Sequence, residues 1–257
     1  MITQVNEAYV KTETHKGIAS IEFFHPQSNS LPAKALHDLA HAFTHATTDP
    51  NVFVIILRSA GEKAFCAGAS FDELTAIKNE KEGLSFFSGF AHVINAMRKC
   101  NKLIIGRIHG RCVGGGVGLA AATDYAVAVE GADVKLSELA IGIGPFVVGP
   151  AVERKIGTSA FVQLSVDAAS WRNADWARRK GLFAELHQTV EAMDESIQKL
   201  ADTLSHSSPE AMAEMKKVFW KGTEHWDELL IERAKISGRL VLSEFTKNAI
   251  AKFKAKS

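Results

Sequence analysis

Three stretches of this chain carry residue types that could do chemistry. In "VKLSELAIGIGP", Glu138 is flanked by apolar Leu136 and Leu139. A lone carboxylate in apolar company is hard to ionise, which poises it as a base or an acid. The same residue on an edge strand would simply face water, and local sequence leaves both readings open. The stretch "RCVGGGVGLAAATDYAVAV", Arg111 to Val129, has glycine at 114, 115, 116 and 118. Glycine inside a helix costs about 1 kcal/mol relative to alanine, so a close approach or a turn with positive φ must require it. The loop "KAFCAGAS", ending at Ser70, is bare of large side chains after Phe65.

Backbone N–H groups at the start of a helix have no intrahelical partner, and the helix dipole favours negative charge there. The Gly115 N–H falls at such a start, and the Ala67 N–H lies in the other bare loop. Two unhindered N–H groups converging on one point make an oxyanion hole. Packing glycines where a helix meets a sheet would produce the same spacing. Dinucleotide binding is unsupported, because "GGGVGLA" lacks the last glycine of G-x-G-x-x-G and no acidic ribose ligand follows a strand. No phosphate-binding G-x-x-x-x-G-K-S/T occurs either. Asp124 reads as a cap or turn residue and His109 as a turn residue. His37, His41 and His45 recur at i, i+4 spacing with no acidic or cysteine partner, so a polar helix face explains them better than a metal.

The elements that must position these residues alternate. "EAYVKTET" and "GIASIEFF" read as a hairpin, and "VFVIILRSA" and "KLIIGRIHG" as strands buried on both faces. "AKALHDLAHAFTHA", "FDELTAIKNE" and "EGLSFFSGFAHVINAMRKC" read as helices, and "DYAVAVE" and "VKLSE" as short strands. From Pro145 onward the pattern reads as helical almost to the end. The expectation is an α/β core over residues 1–195 and a helical C-terminal region over 196–257.

The 257 residues suffice for a sizeable core, and the net charge of +1 offers no field for nucleic acid or a membrane surface. Three widely spaced cysteines make neither a disulfide framework nor a zinc site. The N-terminus shows no signal-peptide pattern, and no apolar stretch is long enough to span a bilayer. The expected location is cytoplasmic.

Taken together, "KAFCAGAS", "IHGRCVGGGVGLAAATDYAVA", "VKLSELAIGIGP" and "SPEAMAEMKK" resemble, in order and spacing, the motifs of the crotonase superfamily, the enoyl-CoA hydratase/isomerase family. The resemblance covers nearly the whole chain. It implies a spiral of ββα units, an α/β fold, with a helical C-terminal trimerisation region. It implies an acyl-CoA thioester substrate, with no resident cofactor because coenzyme A is part of that substrate. The N–H groups of Ala67 and Gly115 would hold the thioester oxygen, within a substrate-binding set of Ala67, Gly68, Ala69, Ser70, Gly114 and Gly115. Glu138 would be the catalytic acid–base. Hydratases of the family carry a second glutamate at the position of Gly118, and Ser70 replaces the usual aspartate. A single glutamate suits double-bond isomerisation, with hydration the alternative reading, extending to branched substrates such as methylglutaconyl-CoA. A non-catalytic acyl-CoA-binding homologue is a third reading. Lys216, Lys217 or the basic tail would meet the CoA phosphates. A homotrimer or dimer of trimers is expected, using Phe219, Trp220, Trp226, Leu229, Leu230, Leu240, Val241, Leu242 and Phe245.

Overall fold

The structure is a computed structural model that describes residues 7–254. β1 (Tyr9–His15) and β2 (Ile18–Phe24) form an antiparallel hairpin. Its two turn residues, Lys16 and Gly17, have φ of +48° and +81°, the left-handed pair whose twist matches a two-residue hairpin. Then come α1 (Ala33–Thr48), β3 (Val54–Ser59), β4 (Ala64–Cys66), α2 (Phe71–Ala76), α3 (Glu80–Lys99), β5 (Leu103–Ile108) and β6 (Arg111–Val113). α4 (Gly115–Ala122), β7 (Tyr125–Val129), β8 (Val134–Lys135) and a 3-10 turn at Leu139–Ile141 follow. The remainder is α5 (Gly149–Val166), α6 (Ala174–Arg179), β9 (Glu185–His187), α7 (Val190–Ser205), α8 (Pro209–Phe219), α9 (Trp226–Leu240) and α10 (Glu244–Lys254).

The fold is α/β. A six-stranded mixed sheet runs β1-β2-β3-β5-β7-β9, parallel beyond the hairpin. A smaller sheet of three parallel strands runs β4-β6-β8. The apolar runs of β3 and β5 are buried on both faces, as expected of central parallel strands. Two local expectations are corrected. β9 interrupts the supposedly all-helical second half and closes the large sheet beside β7. The long C-terminal amphipathic stretch breaks into α9 and α10 at residues 241–243.

α9 lies against α3 at a contact made by two glycines. A Cβ on Gly83 would come within 2.6 Å of the Gly238 carbonyl oxygen. This packing buries Trp226, Leu230 and Val241 within the chain, and Trp220 is buried by the core. Those residues are therefore not free for an interface between subunits. Phe219 and Phe245 do stay exposed, together with Val218, Val162 and Val166.

Asp124 ties the two halves together. Its carboxylate accepts from the Ile104 N–H at 2.8 Å, the Trp220 indole at 2.9 Å and the Lys216 ammonium at 2.9 Å. Lys216 is buried and also donates to the Lys102 carbonyl at 2.7 Å. Removing one partner of a buried pair leaves the other charged and unpaired. Asp124→Ala should therefore lower unfolding free energy by about 3–5 kcal/mol. Lys217→Ala, which removes only an exposed pair with Glu214, should change it by less than about 1 kcal/mol. Urea unfolding of both variants checks the contrast.

Candidate active site

The three strands of the small sheet run parallel, so their C-terminal ends lie along one edge. β4 exits into residues 67–70, β6 into Gly114 and α4, and β8 into residues 136–138. This one edge thus gathers the two bare loops and Glu138. The loops touch: a Cβ on Gly68, φ +89°, would lie 2.9 Å from the Val113 carbonyl oxygen and 3.5 Å from the Gly115 nitrogen.

Each glycine of the run faces a different neighbour. Gly114 caps α4 with φ +51° and ψ −113°, a conformation that suits glycine. A Cβ there would sit 2.9 Å from Glu138 Oε1. At Gly115 it would strike the Phe90 ring, at 2.2 Å, and at Gly116 the Cys66 carbonyl, at 2.3 Å. At Gly118 it would meet Val148 Cγ1 at 2.5 Å. The position expected to be an emptied second-carboxylate site is therefore filled by Val148.

The Gly115 N–H, at the first position of α4, forms no hydrogen bond to a described residue. The expectation that Ala67 offers the other free donor is not met. Its N–H donates to the Ser28 carbonyl at 3.2 Å, and the Gly68 N–H points at Cys66 Sγ at 3.4 Å. The free N–H of this loop, with no partner among the described residues, belongs to Ala69. The reason is local pairing. Leu31 bridges the loop by donating to the Gly68 carbonyl and accepting from Ser70 N–H, which skips Ala69. The Ser70 side chain is buried and caps α2 by accepting from the Glu73 N–H.

Glu138 stands just before the 3-10 turn rather than inside β8. Its carbonyl accepts from the Ile141 and Ile143 N–H groups at 3.2 and 2.9 Å, which fixes the backbone. Its Oε2 is buried with no hydrogen-bond partner among the described residues. Desolvation pushes its pKa up to about 7, against a smaller downward pull from its own N–H. This is not an edge glutamate facing water.

Glu138 opens into a pocket with Ala67, Gly68, Ala69, Gly114 and Gly115 on one side. Phe87, Phe90, Leu74, Ile143, Phe146 and Val148 form much of its apolar wall. Sequence reasoning missed these, because Phe87 and Phe90 on α3 look like ordinary core and the others are single apolar residues on α2 and in the segment before α5. An outer groove shares Ala67, Ala69 and Ser137 with the pocket and carries Lys135, Trp171 and Lys252. Arg111 and Lys135 lie over the Trp171 ring, 5.0 and 5.5 Å from its centroid. Lys216 is not at this groove; it is buried at the other end of α4, beside Asp124. Lys217 does not line the groove either. The end of the basic tail lies outside the described residues. His109 does not line the pocket, and burial and nearby Arg107 lower its pKa to about 4. Among the described residues no group of three acidic, histidine or cysteine side chains is placed to hold a metal.

The enoyl-CoA hydratase/isomerase family matches residues 13–254. The chain belongs to this family. Among curated relatives it is 31% identical over 206 residues to carnitinyl-CoA dehydratase of Proteus mirabilis, covering 80% of this chain and 78% of the relative. The carnitinyl-CoA dehydratase of Escherichia coli K12 is 31% identical over 79% of this chain and 76% of the relative. Solved structures share the fold. An enoyl-CoA hydratase from Bacillus halodurans superposes with a TM-score of 0.87 at 21% identity, covering 95% of this chain and 99% of that one. One from Mycobacterium avium gives 0.85 at 24% identity and 96% coverage of each chain. The crotonase resemblance and the α/β fold expected from the motifs are thereby established. No helix among the described residues is long and apolar enough to cross a membrane.

The raised pKa of Glu138 has a consequence for stability. An unfolded glutamate titrates near 4.5, the folded one near 7. Between these values the folded state binds the extra proton, so this group lowers stability as pH rises from 4.5 to 7, and its effect is constant above. Glu138→Gln should therefore be more stable than the parent at pH 8 by at least about 1 kcal/mol. That advantage should vanish near pH 4. Urea midpoints of both proteins across the range measure it.

Proposed function

We propose that this family member is an acyl-CoA enzyme that moves a double bond along the acyl chain. The thioester oxygen would sit on the N–H groups of Ala69 and Gly115, and Glu138 would handle the proton. As a 3-enoyl thioester loses its α-proton to Glu138, negative charge spreads onto that oxygen as a dienolate. Preorganised donors aimed at it are worth about 3 kcal/mol each in the transition state. The same carboxyl then returns the proton at the γ-carbon. A pKa near 7 suits both halves of this exchange.

The observation that carries isomerisation over hydration is the contact of Gly118 with Val148. An apolar side chain occupies the space where a second carboxylate would hold water. The names of the relatives, dehydratase and hydratase, favour the second reading, hydration or dehydration with Glu138 alone activating the water. For the CoA phosphates, Lys135 and Lys252 in the outer groove and Arg111 beside Trp171 replace Lys216 and Lys217 as the cations of choice.

Glu138→Gln keeps shape but removes the base. Turnover of a 3-enoyl-CoA should fall by a factor on the order of 100 to 10,000 while binding of a saturated acyl-CoA survives. Near-parental turnover would remove Glu138 from its role. We also propose a trimer or a dimer of trimers, resting on the family and on exposed Val162, Val166, Val218, Phe219 and Phe245. Light scattering at micromolar concentration should give the mass of three or six chains; a monomer would contradict this.

A further inference from the structure

Two serines line the acyl pocket and are unused by the chemistry above: Ser137, next to Glu138 in the chain, and Ser237. Ser237 of α9 lines the pocket and is 1% exposed. Its hydroxyl forms no hydrogen bond to any described residue. Some helical hydroxyls bond back to the carbonyl four residues earlier, as Thr47 does to Phe43 and Thr203 to Lys199, while that of Ser165 in α5 has no partner among the described residues. Ser237 makes no such bond to Arg233, so its donor and acceptor remain available to whatever fills the pocket.

Helix packing does not explain the hydroxyl. The close approach of α9 to α3 is carried by Gly238, whose Cβ would lie 2.7 Å from the Leu84 nitrogen. Alanine at 237 would serve packing without burying an unpaired polar group. The position along the pocket also matters. Phe90 of α3 abuts Gly115, and Gly83, seven residues earlier, abuts Gly238 beside Ser237. Seven residues of helix span about 10 Å. A reacting water must lie within about 3.5 Å of the carbon it attacks. Ser237 therefore stands beyond the carbons next to the thioester. Among the described residues no lysine or arginine lines the pocket, so a charged acyl terminus would find no cation from them there.

We propose that Ser237 recognises a neutral hydrogen-bonding group, a hydroxyl or a carbonyl, towards the far end of the substrate's acyl chain. This rests on the acyl-CoA reading above. It makes Ser237 a specificity-determining residue rather than a catalytic one.

Calorimetric titration of the intact protein with hexanoyl-CoA and its 5- and 6-hydroxy derivatives tests it without requiring turnover. The parent should bind at least one hydroxylated thioester about tenfold more tightly than hexanoyl-CoA. Ser237→Ala should abolish that preference while holding hexanoyl-CoA within about threefold of the parent. Equal affinity of the parent for all three, or a preference that persists in Ser237→Ala, overturns the role of Ser237 and leaves the acyl-CoA reading standing. Failure of the folded parent to bind any of the three overturns both.

Discussion

The backbone at Gly114 passes so close to the Glu138 carboxylate that a side chain between them would sit 2.9 Å from Oε1. Much of the site follows from that approach. Gly114 turns β6 into α4 through a conformation suited to glycine, and the turn leaves the Gly115 N–H bare. The three glycines in a row each stand against a different surface: Glu138, the Phe90 ring and the Cys66 carbonyl. Their cost in helix propensity is offset by the packing of three parallel strand ends into one edge. On that edge two free N–H groups, one carboxylate and an apolar pocket come together.

Glu138 gets its character from what it lacks. Oε2 has no hydrogen-bond partner among the described residues, and burial raises the pKa to about 7. An ionised carboxylate with several donors around it would be too weak a base. The second acid–base position is closed by Val148 against Gly118. The site thus offers one carboxylate in a mostly apolar pocket, an arrangement that suits moving a proton between two carbons of the same ligand.

The apolar runs of β3 and β5 and the long periodicity of α3 made the scaffold legible in the sequence. β9 was not legible, because three residues within a mostly helical half carry too little pattern. Residue type and spacing made Glu138 and Gly115 candidates, and the crotonase resemblance gave them their roles. The choice between Ala67 and Ala69 could not, since it depends on Ser28 and Leu31, which lie far back in the chain. Lys216 looked like a surface cation on a helix; only its pairing with Asp124 across the fold shows that it is buried. Val148 carried no signal at all, being one valine in "GPFVVGP".

The central claim is that one carboxylate shuttles a proton on a thioester enolate without delivering water. Proton NMR of a 3-enoyl-CoA incubated with the protein in buffered water tests it most directly. The account predicts that the double bond moves to C2–C3 and that the 2-enoyl thioester accumulates as the first product. A 3-enoyl thioester left unchanged, while 2-enoyl-CoA supplied in a parallel sample is hydrated to the 3-hydroxyacyl thioester, would contradict it.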